Sequence, residues 1–386
     1  MFRQRLDDLS RRALLRRLRA IESASGPDVT IDGRPVVLMA SNDYLGLANH
    51  PALKRAAIEA TERFGAGAGA ARLISGTQPP HEELETALAK FKGAEAALTF
   101  GSGYLANLGV IPALIGTGGL ILADRLCHAS LIDGCRLSGA DFRVYRHNDM
   151  THLKSLLARR PAKRETLIVT DGVFSMDGDL APLPELTALA DRYGVQLYID
   201  DAHGTGVMGA QGRGTLEHLE VEDRIPFHMG TLGKALGTSG AYIAGSAAAV
   251  QYLLNTARTF LFATAPPPAT AAATVAALRL IQQEPERRAR LWENRRYLHA
   301  GLARLGFTMA GSESPILPIV IGDAQKTVTM AERLLELGVY APAIRPPTVP
   351  KGTSRIRVTV TSEHSRAHLD RALAAFRQAG EGLRLI

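Results

Sequence analysis

The alternation of short apolar runs with helix-length segments between Glu95 and Asp201 constrains the fold more than any other feature. The runs are AALTF, GGLILAD, FRVYR, ETLIVTDG and VQLYID. This alternation predicts a mostly parallel β-sheet that is covered by helices on both faces. Ligands in such sheets bind at the carboxyl ends of the strands. We therefore expect an α/β fold whose functional residues follow the strand ends.

The flanking segments predict smaller elements. A basic N-terminal helix precedes a hairpin, VTIDGRPVVLMA, which turns at Asp32-Gly33. After Pro268 a long helical stretch leads to a second α+β segment. We predict an N-terminal arm over residues 1–45, a large ligand-binding domain over residues 46–285 and a small α+β domain over residues 286–386.

A single lysine, Lys234, lies among small residues in the stretch from Ile225 to Gly245, which holds no other formally charged residue. Small neighbours let a flat ligand approach, and loss of water would lower the pKa of the amine. A neutral amine forms a Schiff base with an aldehyde. The alternative interpretation is a lysine that simply reaches solvent from a glycine-rich loop.

The segment QLYIDDAHGTG combines a strand end with acids and a histidine, Asp200-x-x-His203. In the simplest interpretation the acid caps the following turn. In the functional interpretation the carboxylate keeps a heteroaromatic ring nitrogen protonated, which makes the ring a strong electron sink. His203 could then donate a hydrogen bond to a phenolic oxygen on the same ring.

The segment TFGSGYLAN places a strand before glycines and the start of a helix. Backbone N–H groups at such a helix N-terminus predict a phosphate site. The same residues also fit the dinucleotide pattern G-x-G-x-x-G/A, and Asp124 lies about 20 residues further on, where that motif places its ribose-binding acid. A nicotinamide-dependent oxidoreductase is therefore a competing hypothesis.

Two further candidates follow strand ends. His128 could stack on a ring face or transfer protons as a neutral imidazole, although a lone histidine is more often structural. Ser175 could hydrogen-bond a cofactor. The nearby acids Asp177 and Asp179 lack the remaining ligands of a calcium loop, and no other metal-binding motif occurs, so we predict no metal site.

The formal net charge is +7, and much of it lies within the first twenty residues. The arginines there are Arg3, Arg5, Arg11, Arg12, Arg16, Arg17 and Arg19. They indicate either the solvated face of an amphipathic helix, with Leu6, Leu9, Ala13 and Leu14 on its apolar side, or attraction to an anionic substrate or carrier. No aromatic residues interleave them, so we expect no nucleic acid partner.

The remaining features predict a cytoplasmic protein. No apolar run is long and uninterrupted enough to span a membrane, and the N-terminus lacks the apolar core of a secretion signal. Cys127 and Cys135 do not form the pattern of a disulfide framework or a zinc site.

Many motifs occur in a consistent order along nearly the whole chain. They are SNDYLGL, GAARLISGT, HEELE, GSGYLAN, DRLCHASLIDG, TDGVFSMDGD, DDAHGTG, GTLGKALG and AIRPPTVPKGTSRIRVT. Together they resemble the α-oxoamine synthases, a pyridoxal-phosphate family of the fold-type I aminotransferase class. The resemblance implies a three-layer αβα large domain with a mostly parallel sheet, a smaller α+β domain, pyridoxal 5'-phosphate as cofactor, and a homodimer with active sites near its interface.

The resemblance also implies roles for individual residues. Lys234 looks like the Schiff-base lysine, Asp200 the partner of the pyridine nitrogen, and His203 the contact to the phenolic oxygen. His128 matches the histidine that stacks on the ring and contacts substrate. The other implied cofactor contacts are the backbone at Gly103 and Tyr104, Thr231 and Ser175.

Substrate contacts are implied in the same way. Arg16 and Thr348 match substrate-contacting positions. Arg355 resembles the arginine that holds the amino-acid carboxylate, although Arg345 and Arg357 lie nearby in the sequence.

Within the family, AIRPPTVP indicates the biotin-pathway member, which condenses L-alanine with a pimeloyl thioester on coenzyme A or an acyl carrier protein. A relative that uses glycine or serine with another acyl-CoA is the first alternative, and the oxidoreductase and a binding module without turnover are distant ones. The chain departs from the family at Ala71, where members often carry serine. This departure bears on phosphate contacts made across the subunit interface.

Overall fold

The computed structural model describes residues 2–16, 18–225, 227–309 and 311–386, so Arg17 of the N-terminal arginines lies outside the described residues. The strands are β1 (Asp28–Ile31), β2 (Arg34–Leu38), β3 (Ala96–Phe100), β4 (Leu120–Asp124), β5 (Asp141–Tyr145), β6 (Thr166–Asp171), β7 (Gln196–Asp200), β8 (Phe227–Thr231), β9 (Ala241–Gly245), β10 (Ile316–Gly322), β11 (Val339–Tyr340), β12 (Ala343–Ile344) and β13 (Ser354–Thr359).

The helices are α1 (Phe2–Arg11), α2 (Pro51–Phe64), α3 (Pro79–Lys92), α4 (Gly103–Leu114), α5 (Ala129–Leu137), α6 (Met150–Ala158), α7 (Leu183–Tyr193), α8 (Thr215–His218), α9 (Ala247–Thr256), α10 (Arg258–Leu261), α11 (Pro268–Gln283), α12 (Glu286–Arg304), α13 (Ala324–Glu336) and α14 (Arg366–Gly382). A π-helical turn spans Arg72–Gly76, and a 3-10 turn spans Glu222–Arg224. Among the described residues, no helix combines the length and the apolar character that crossing a membrane requires.

The chain forms two compact units. The sheet unit comprises His50–Phe174 and Leu180–Pro285, and the terminal unit comprises Met1–Asn49, Ser175–Asp179 and Glu286–Ile386. The terminal unit thus includes a five-residue segment from the middle of the sequence, which no local pattern in the sequence predicts.

In the described part of the sheet unit, the strands form a seven-stranded sheet in the order β3-β9-β8-β7-β6-β4-β5. β9 runs antiparallel to both of its neighbours, whereas the other neighbouring pairs are parallel. The prediction of a mostly parallel sheet is therefore confirmed. The stretch around Lys234 contributes β8 and β9, and all residues of both strands are buried.

Helices cover both faces of this sheet, because successive side chains of each strand point to opposite sides. Ile121 and Ala123 of β4 pack in one core with residues of α4, α5, α9 and α10. Leu120 and Leu122 of the same strand pack in a second core with residues of α6, α7 and α8. The continuous apolar character of the strands follows from this burial on both sides, and the predicted three-layer arrangement is confirmed.

The terminal unit contains two small sheets. β1 and β2 form the predicted hairpin, in which Ile31 pairs with Arg34 and the turn residues Asp32 and Gly33 have φ angles of 50° and 69°. β11 extends this sheet in parallel with β2, and β10, β13 and β12 form an antiparallel sheet.

The N-terminal helix is shorter than its apolar pattern predicts. It ends at Arg11, and Ala13 has a φ of 53°, which breaks the helical path before Leu14. Helix α1 buries none of its residues. The predicted apolar side of Leu6, Leu9, Ala13 and Leu14 therefore does not form one helical stripe.

Lys92 forms a buried ion pair with Asp201, the residue that follows β7. Nζ of Lys92 lies 3.7 Å from Oδ2 of Asp201, and the two side chains are 1% and 0% exposed. Thr215 donates to the same carboxylate through its hydroxyl at 2.6 Å. Burial lowers the pKa of Lys92 and raises the pKa of Asp201, and the opposite charge of each partner opposes both shifts. Asp201 is thus a structural acid.

We expect Lys92→Met to lower the free energy of unfolding by about 3–5 kcal/mol, because it leaves the Asp201 carboxylate buried without its counter-charge. Urea unfolding at neutral pH measures the effect. The double variant Lys92→Met/Asp201→Asn should regain part of the loss. Equal stability of the single variant and the wild type would contradict the assignment.

Candidate active site

A pocket of about 410 Å³ lies in the sheet unit at the carboxyl ends of the parallel strands. This edge collects residues from distant parts of the sequence, since parallel strands end on the same side. The pocket is lined by Ser102, Gly103, Tyr104, His128, Ser130, Asp171, Asp200, Ala202, His203, Met229, Thr231, Gly233, Lys234, Thr238, Ser239 and Gly240. Its volume lies in the range of about 300–1,000 Å³ that is usual for small-molecule sites.

Asp200, the last residue of β7, is 3% exposed, and both of its carboxylate oxygens accept hydrogen bonds. Nδ2 of Asn107 donates to Oδ2 at 2.9 Å, and the backbone N–H of Ala202 donates to Oδ1 at 3.0 Å. The Tyr198 hydroxyl donates to Oδ1 of Asn107 at 2.8 Å, which fixes the orientation of the amide. The carboxylate is therefore held rigidly at the pocket wall.

His128 lies between β4 and α5, where its ring caps the helix. Nδ1 of His128 is 2.7 Å from Oγ of Ser130, which also accepts a hydrogen bond from Asn107 at 2.8 Å. Burial and the nearby charge of Lys234 lower the pKa of His128, against the attraction of Asp200. The imidazole therefore favours its neutral form, in which a flat ring can stack on it.

Asp171 is a second acid in the pocket, at the end of β6 and in register with Asp200 on the neighbouring strand. It is 3% exposed, and Oδ2 accepts a hydrogen bond from the backbone N–H of His128 at 2.9 Å. Burial and the adjacent Asp200 raise the pKa of Asp171 well above its usual value. Asp171 therefore favours its protonated form more than an exposed aspartate does.

The start of α4 faces the pocket with the features of an anion site. Oγ of Ser102 caps the helix by accepting the N–H of Leu105 at 3.2 Å. A Cβ at Gly103 would lie 2.7 Å from Cγ2 of Thr231, so this close approach requires glycine. The Thr231 side chain, 9% exposed at the end of β8, and the backbone of Gly103 and Tyr104 therefore line one concave surface.

Lys234 follows β8 in a turn that the Gly237 N–H closes by donating to the Lys234 carbonyl at 2.9 Å. Its side chain is half-buried and lines the same pocket as Asp200. His203, 6% exposed, lines this pocket from the turn after β7. The predicted residues Gly103, Tyr104, His128, Asp200, His203, Thr231 and Lys234 thus meet in one pocket.

The other predicted site residues, Ser175, Arg355, Arg16 and Thr348, belong to the terminal unit. The Arg355 side chain, 5% exposed, donates through Nη1 to Oδ1 of Asp177 at 2.5 Å and to the Met176 carbonyl at 3.1 Å. Nε of Arg357 donates to the Ser175 carbonyl at 2.5 Å. These bonds hold the segment Ser175–Asp179 within the terminal unit.

Arg16 contacts the loop that follows β12, and Thr348 belongs to this loop. Nη2 of Arg16 donates to the Pro346 carbonyl at 3.1 Å, and the Thr348 N–H donates to the Arg345 carbonyl at 3.1 Å. Both residues are exposed.

Asp124, which the dinucleotide hypothesis assigns to a ribose, is fully buried. Oδ1 of Asp124 accepts from the Leu126 N–H at 2.8 Å and lies 2.9 Å from Nδ1 of His147. Oδ2 accepts from the Asn148 N–H at 2.8 Å. Protein groups thus occupy both oxygens, which leaves this acid poorly suited to bind a ribose.

Sequence reasoning missed Asn107, Ser130, Asp171 and Tyr198. Asn107 stands four residues after Gly103 and so lies on the same helix face, where an amide in a helix with few polar residues is a usable signal. Asp171 ends a strand just as Asp200 does, so the same reasoning applies to it. Ser130 and Tyr198 become recognisable only once the strand order is known.

We expect Asn107→Leu to lower the free energy of unfolding by about 2–4 kcal/mol, because it leaves Oδ2 of Asp200 and the Tyr198 hydroxyl buried without partners. Tyr198→Phe is the matched control, since it removes one hydrogen bond and leaves Asp200 satisfied. Urea unfolding of both variants and of their combination measures the coupling. Additive effects in the double variant would count against a shared network.

We expect Asp171→Asn to become progressively more stable than the wild type as pH rises above about 4. The native state holds a proton on Asp171 that the unfolded chain has already lost, so wild-type stability falls as pH rises towards the native pKa. The asparagine oxygen still accepts the His128 N–H. Urea unfolding across a pH series tests this, and parallel stability curves would refute it.

Comparison with known proteins identifies the family of the chain. The family model described as aminotransferase class I and II matches residues 34–376. The 8-amino-7-oxononanoate synthase of Geobacter sulfurreducens is 52% identical over 384 residues, which cover 99% of this chain and 98% of that protein. The enzyme of the same name from Symbiobacterium thermophilum is 48% identical, with the same coverage.

A solved structure gives the same result for the fold. The serine palmitoyltransferase from S. paucimobilis, with a bound PLP–myriocin aldimine, superimposes with a TM-score of 0.96 at 33% identity, over 100% of this chain and 98% of that one. The chain belongs to the aminotransferase class I and II family.

Proposed function

We propose that this chain condenses L-alanine with a pimeloyl thioester in biotin biosynthesis. The reaction forms a bond between the alanine Cα and the acyl carbonyl carbon. It breaks the carbonyl–sulfur bond and the bond from Cα to the carboxylate carbon, which gives 8-amino-7-oxononanoate, CO₂ and the free thiol. The observation that carries the proposal is the single pocket that holds Lys234, Asp200, His203 and His128. Relatives named 8-amino-7-oxononanoate synthase at about half identity over the full length support it.

The residues of this pocket fit pyridoxal 5'-phosphate. The surface at Gly103, where a Cβ would collide with Thr231, offers the helix start and a hydroxyl to a phosphate group. Lys234 offers an amine for the aldehyde, and Asp200 offers a fixed carboxylate for the ring nitrogen. The neutral ring of His128 suits a stacking contact with the pyridine.

When bound, the cofactor supplies an electron sink for the negative charge that develops at the substrate Cα. The carboxylate of Asp200 favours a proton on the ring nitrogen, and His203 would donate to the phenolic oxygen. Nζ of Lys234 would take the Cα proton of alanine and return a proton after CO₂ has left.

Residues of the terminal unit would bind the substrates. Arg355 would hold the alanine carboxylate through Nη2, which makes no hydrogen bond within the described residues, whereas Nη1 and Nε already bond backbone carbonyls and Asp177. Ser175 would contact the cofactor, and Arg16 and Thr348 would contact the acyl donor. We further propose that the protein forms a homodimer in the cytoplasm. Light scattering of the purified protein tests whether it is a dimer.

A related synthase that uses serine or glycine is the second candidate. It is favoured by the serine palmitoyltransferase structure, which matches the whole chain at 33% identity. Turnover of alanine, glycine and serine with pimeloyl-CoA and with palmitoyl-CoA separates the two candidates. Preference for alanine and pimeloyl-CoA supports the first, and preference for serine and palmitoyl-CoA supports the second.

We expect Lys234→Ala to abolish turnover, because the amine that binds the aldehyde and moves the proton is lost. The wild type with cofactor should absorb near ~420 nm, and this band should disappear on borohydride reduction and be absent in the variant. Lys90→Ala, at an exposed lysine, is the matched control. Normal turnover by Lys234→Ala would refute the proposed role.

A further inference from the structure

A second pocket, of about 340 Å³, lies in the sheet unit at the other end of β8 from the candidate active site. His228, near the start of β8, lines this second pocket, whereas Thr231 at the end of the same strand lines the first. Ala244 of β9, which pairs with His228 across the two strands, belongs to the same wall. None of the described residues that are proposed for the reaction lines the second pocket.

The imidazole of His228 is buried at this pocket without a hydrogen-bond partner among the described residues. The residue is 7% exposed, and both Nδ1 and Nε2 lack such a partner. Burial and the nearby charge of Lys92 hold the pKa of His228 well below its usual value, so the ring is neutral and offers one N–H donor and one acceptor. Buried polar atoms without partners are unfavourable, so a polar ligand group at this ring would stabilise it.

Arg213 and Glu222 bring opposite charges to the same pocket. Nη1 of Arg213 lies 3.9 Å from Oε1 of Glu222, which is longer than a hydrogen bond, and neither side chain hydrogen-bonds another described residue. The guanidinium lies against Gly93, where a Cβ would be 3.4 Å from Nη1. Asp223 adds an exposed carboxylate to the lining. A cation and an anion that both have free hydrogen-bonding capacity thus stand side by side.

Other polar groups of the lining are already occupied. Lys92 forms its ion pair with Asp201 and donates to the Arg213 carbonyl. Oε2 of Glu95 accepts the N–H of Ala247 at 2.9 Å. The groups that remain for a ligand are therefore the imidazole, the guanidinium and the carboxylates beside it.

The rest of the wall is apolar. Leu216, Ile225 and Ala244 line the pocket and are 2%, 5% and 0% exposed. Aliphatic walls favour an aliphatic group of a ligand, and the charged groups beside them set its orientation. The pocket thus combines one apolar wall with one positive and one negative group.

We propose that the second pocket binds a free α-amino acid with an aliphatic side chain. Such a molecule carries a carboxylate and an ammonium group on one carbon, so it can bond Arg213 and Glu222 together. The N–H of the neutral His228 ring donates to the carboxylate, and the apolar wall contacts the side chain. This site is distinct from the candidate active site, and the inference does not depend on the proposed function.

The test is calorimetry with L-alanine, L-valine and L-leucine. Because the candidate active site is proposed to bind alanine as well, we use holoenzyme reduced with borohydride, in which the cofactor can no longer leave Lys234 for an amino acid. The N-acetyl derivative of the amino acid that binds most tightly lacks the ammonium charge, and its amide lacks the carboxylate. We expect the free amino acid to bind more tightly than either derivative.

Three substitutions should separate the contacts. Arg213→Met should weaken binding of the amino acid by about 10- to 100-fold, because a charge-assisted hydrogen bond is lost. Glu222→Gln should weaken binding of the amino acid but not of its N-acetyl derivative, whereas His228→Phe should weaken both. Arg279→Met is the matched control, since Arg279 pairs with Glu83 at the surface of the same unit. Urea unfolding shows whether each variant is folded.

Several outcomes would overturn the inference. They are no binding of any of the three amino acids, equal binding of the free amino acid and both derivatives, and unchanged binding by folded Arg213→Met and Glu222→Gln proteins. Inorganic phosphate is the final probe, and binding of phosphate without binding of an amino acid would make the pocket an anion site instead. Loss of binding in both variants, with normal binding by Arg279→Met, would support the proposed site.

Discussion

The site depends on the hydrogen bonds that hold the buried carboxylate of Asp200. A buried carboxylate is unfavourable unless hydrogen bonds replace its water, and here Asn107 of α4 and the N–H of Ala202 provide them. The same amide of Asn107 bonds Ser130, which contacts the ring of His128. One set of hydrogen bonds therefore fixes the acid, the start of α4 and the histidine relative to one another. Rearrangement of any of these groups would leave a buried polar atom without a partner.

The features of the site that lie within one short segment could be predicted from the sequence, whereas those that depend on the order of the strands could not. Lys234 and Asp200 stand in short segments whose composition already identifies them as candidate site residues, and the strand pattern predicts that such residues share one edge of the sheet. The pairing of Asp171 with Asp200 requires β6 and β7 to be neighbours, which is a property of strand order and not of either segment. The early end of α1 depends on the φ of Ala13, for which the helical pattern gives no signal.

The comparisons separate fold from substrate. Proteins named 8-amino-7-oxononanoate synthase and serine palmitoyltransferase both match nearly the whole chain, so the fold alone does not select the amino acid or the acyl group. The candidate active-site pocket of the sheet unit holds the residues that are proposed above for chemistry at the substrate Cα.

The composition of the terminal unit from separate pieces of sequence limits how the protein can be divided. Ser175–Asp179 lies between β6 and α7, yet its carbonyls and the Asp177 carboxylate are the acceptors for Arg355 and Arg357. A fragment that starts at Glu286 would lack these acceptors, so Nη1 of Arg355 and Nε of Arg357 would lose their hydrogen bonds. Neither unit can therefore be isolated by gene truncation or exchanged between proteins as one continuous segment. Recombination between relatives must carry the short central segment together with the C-terminal region.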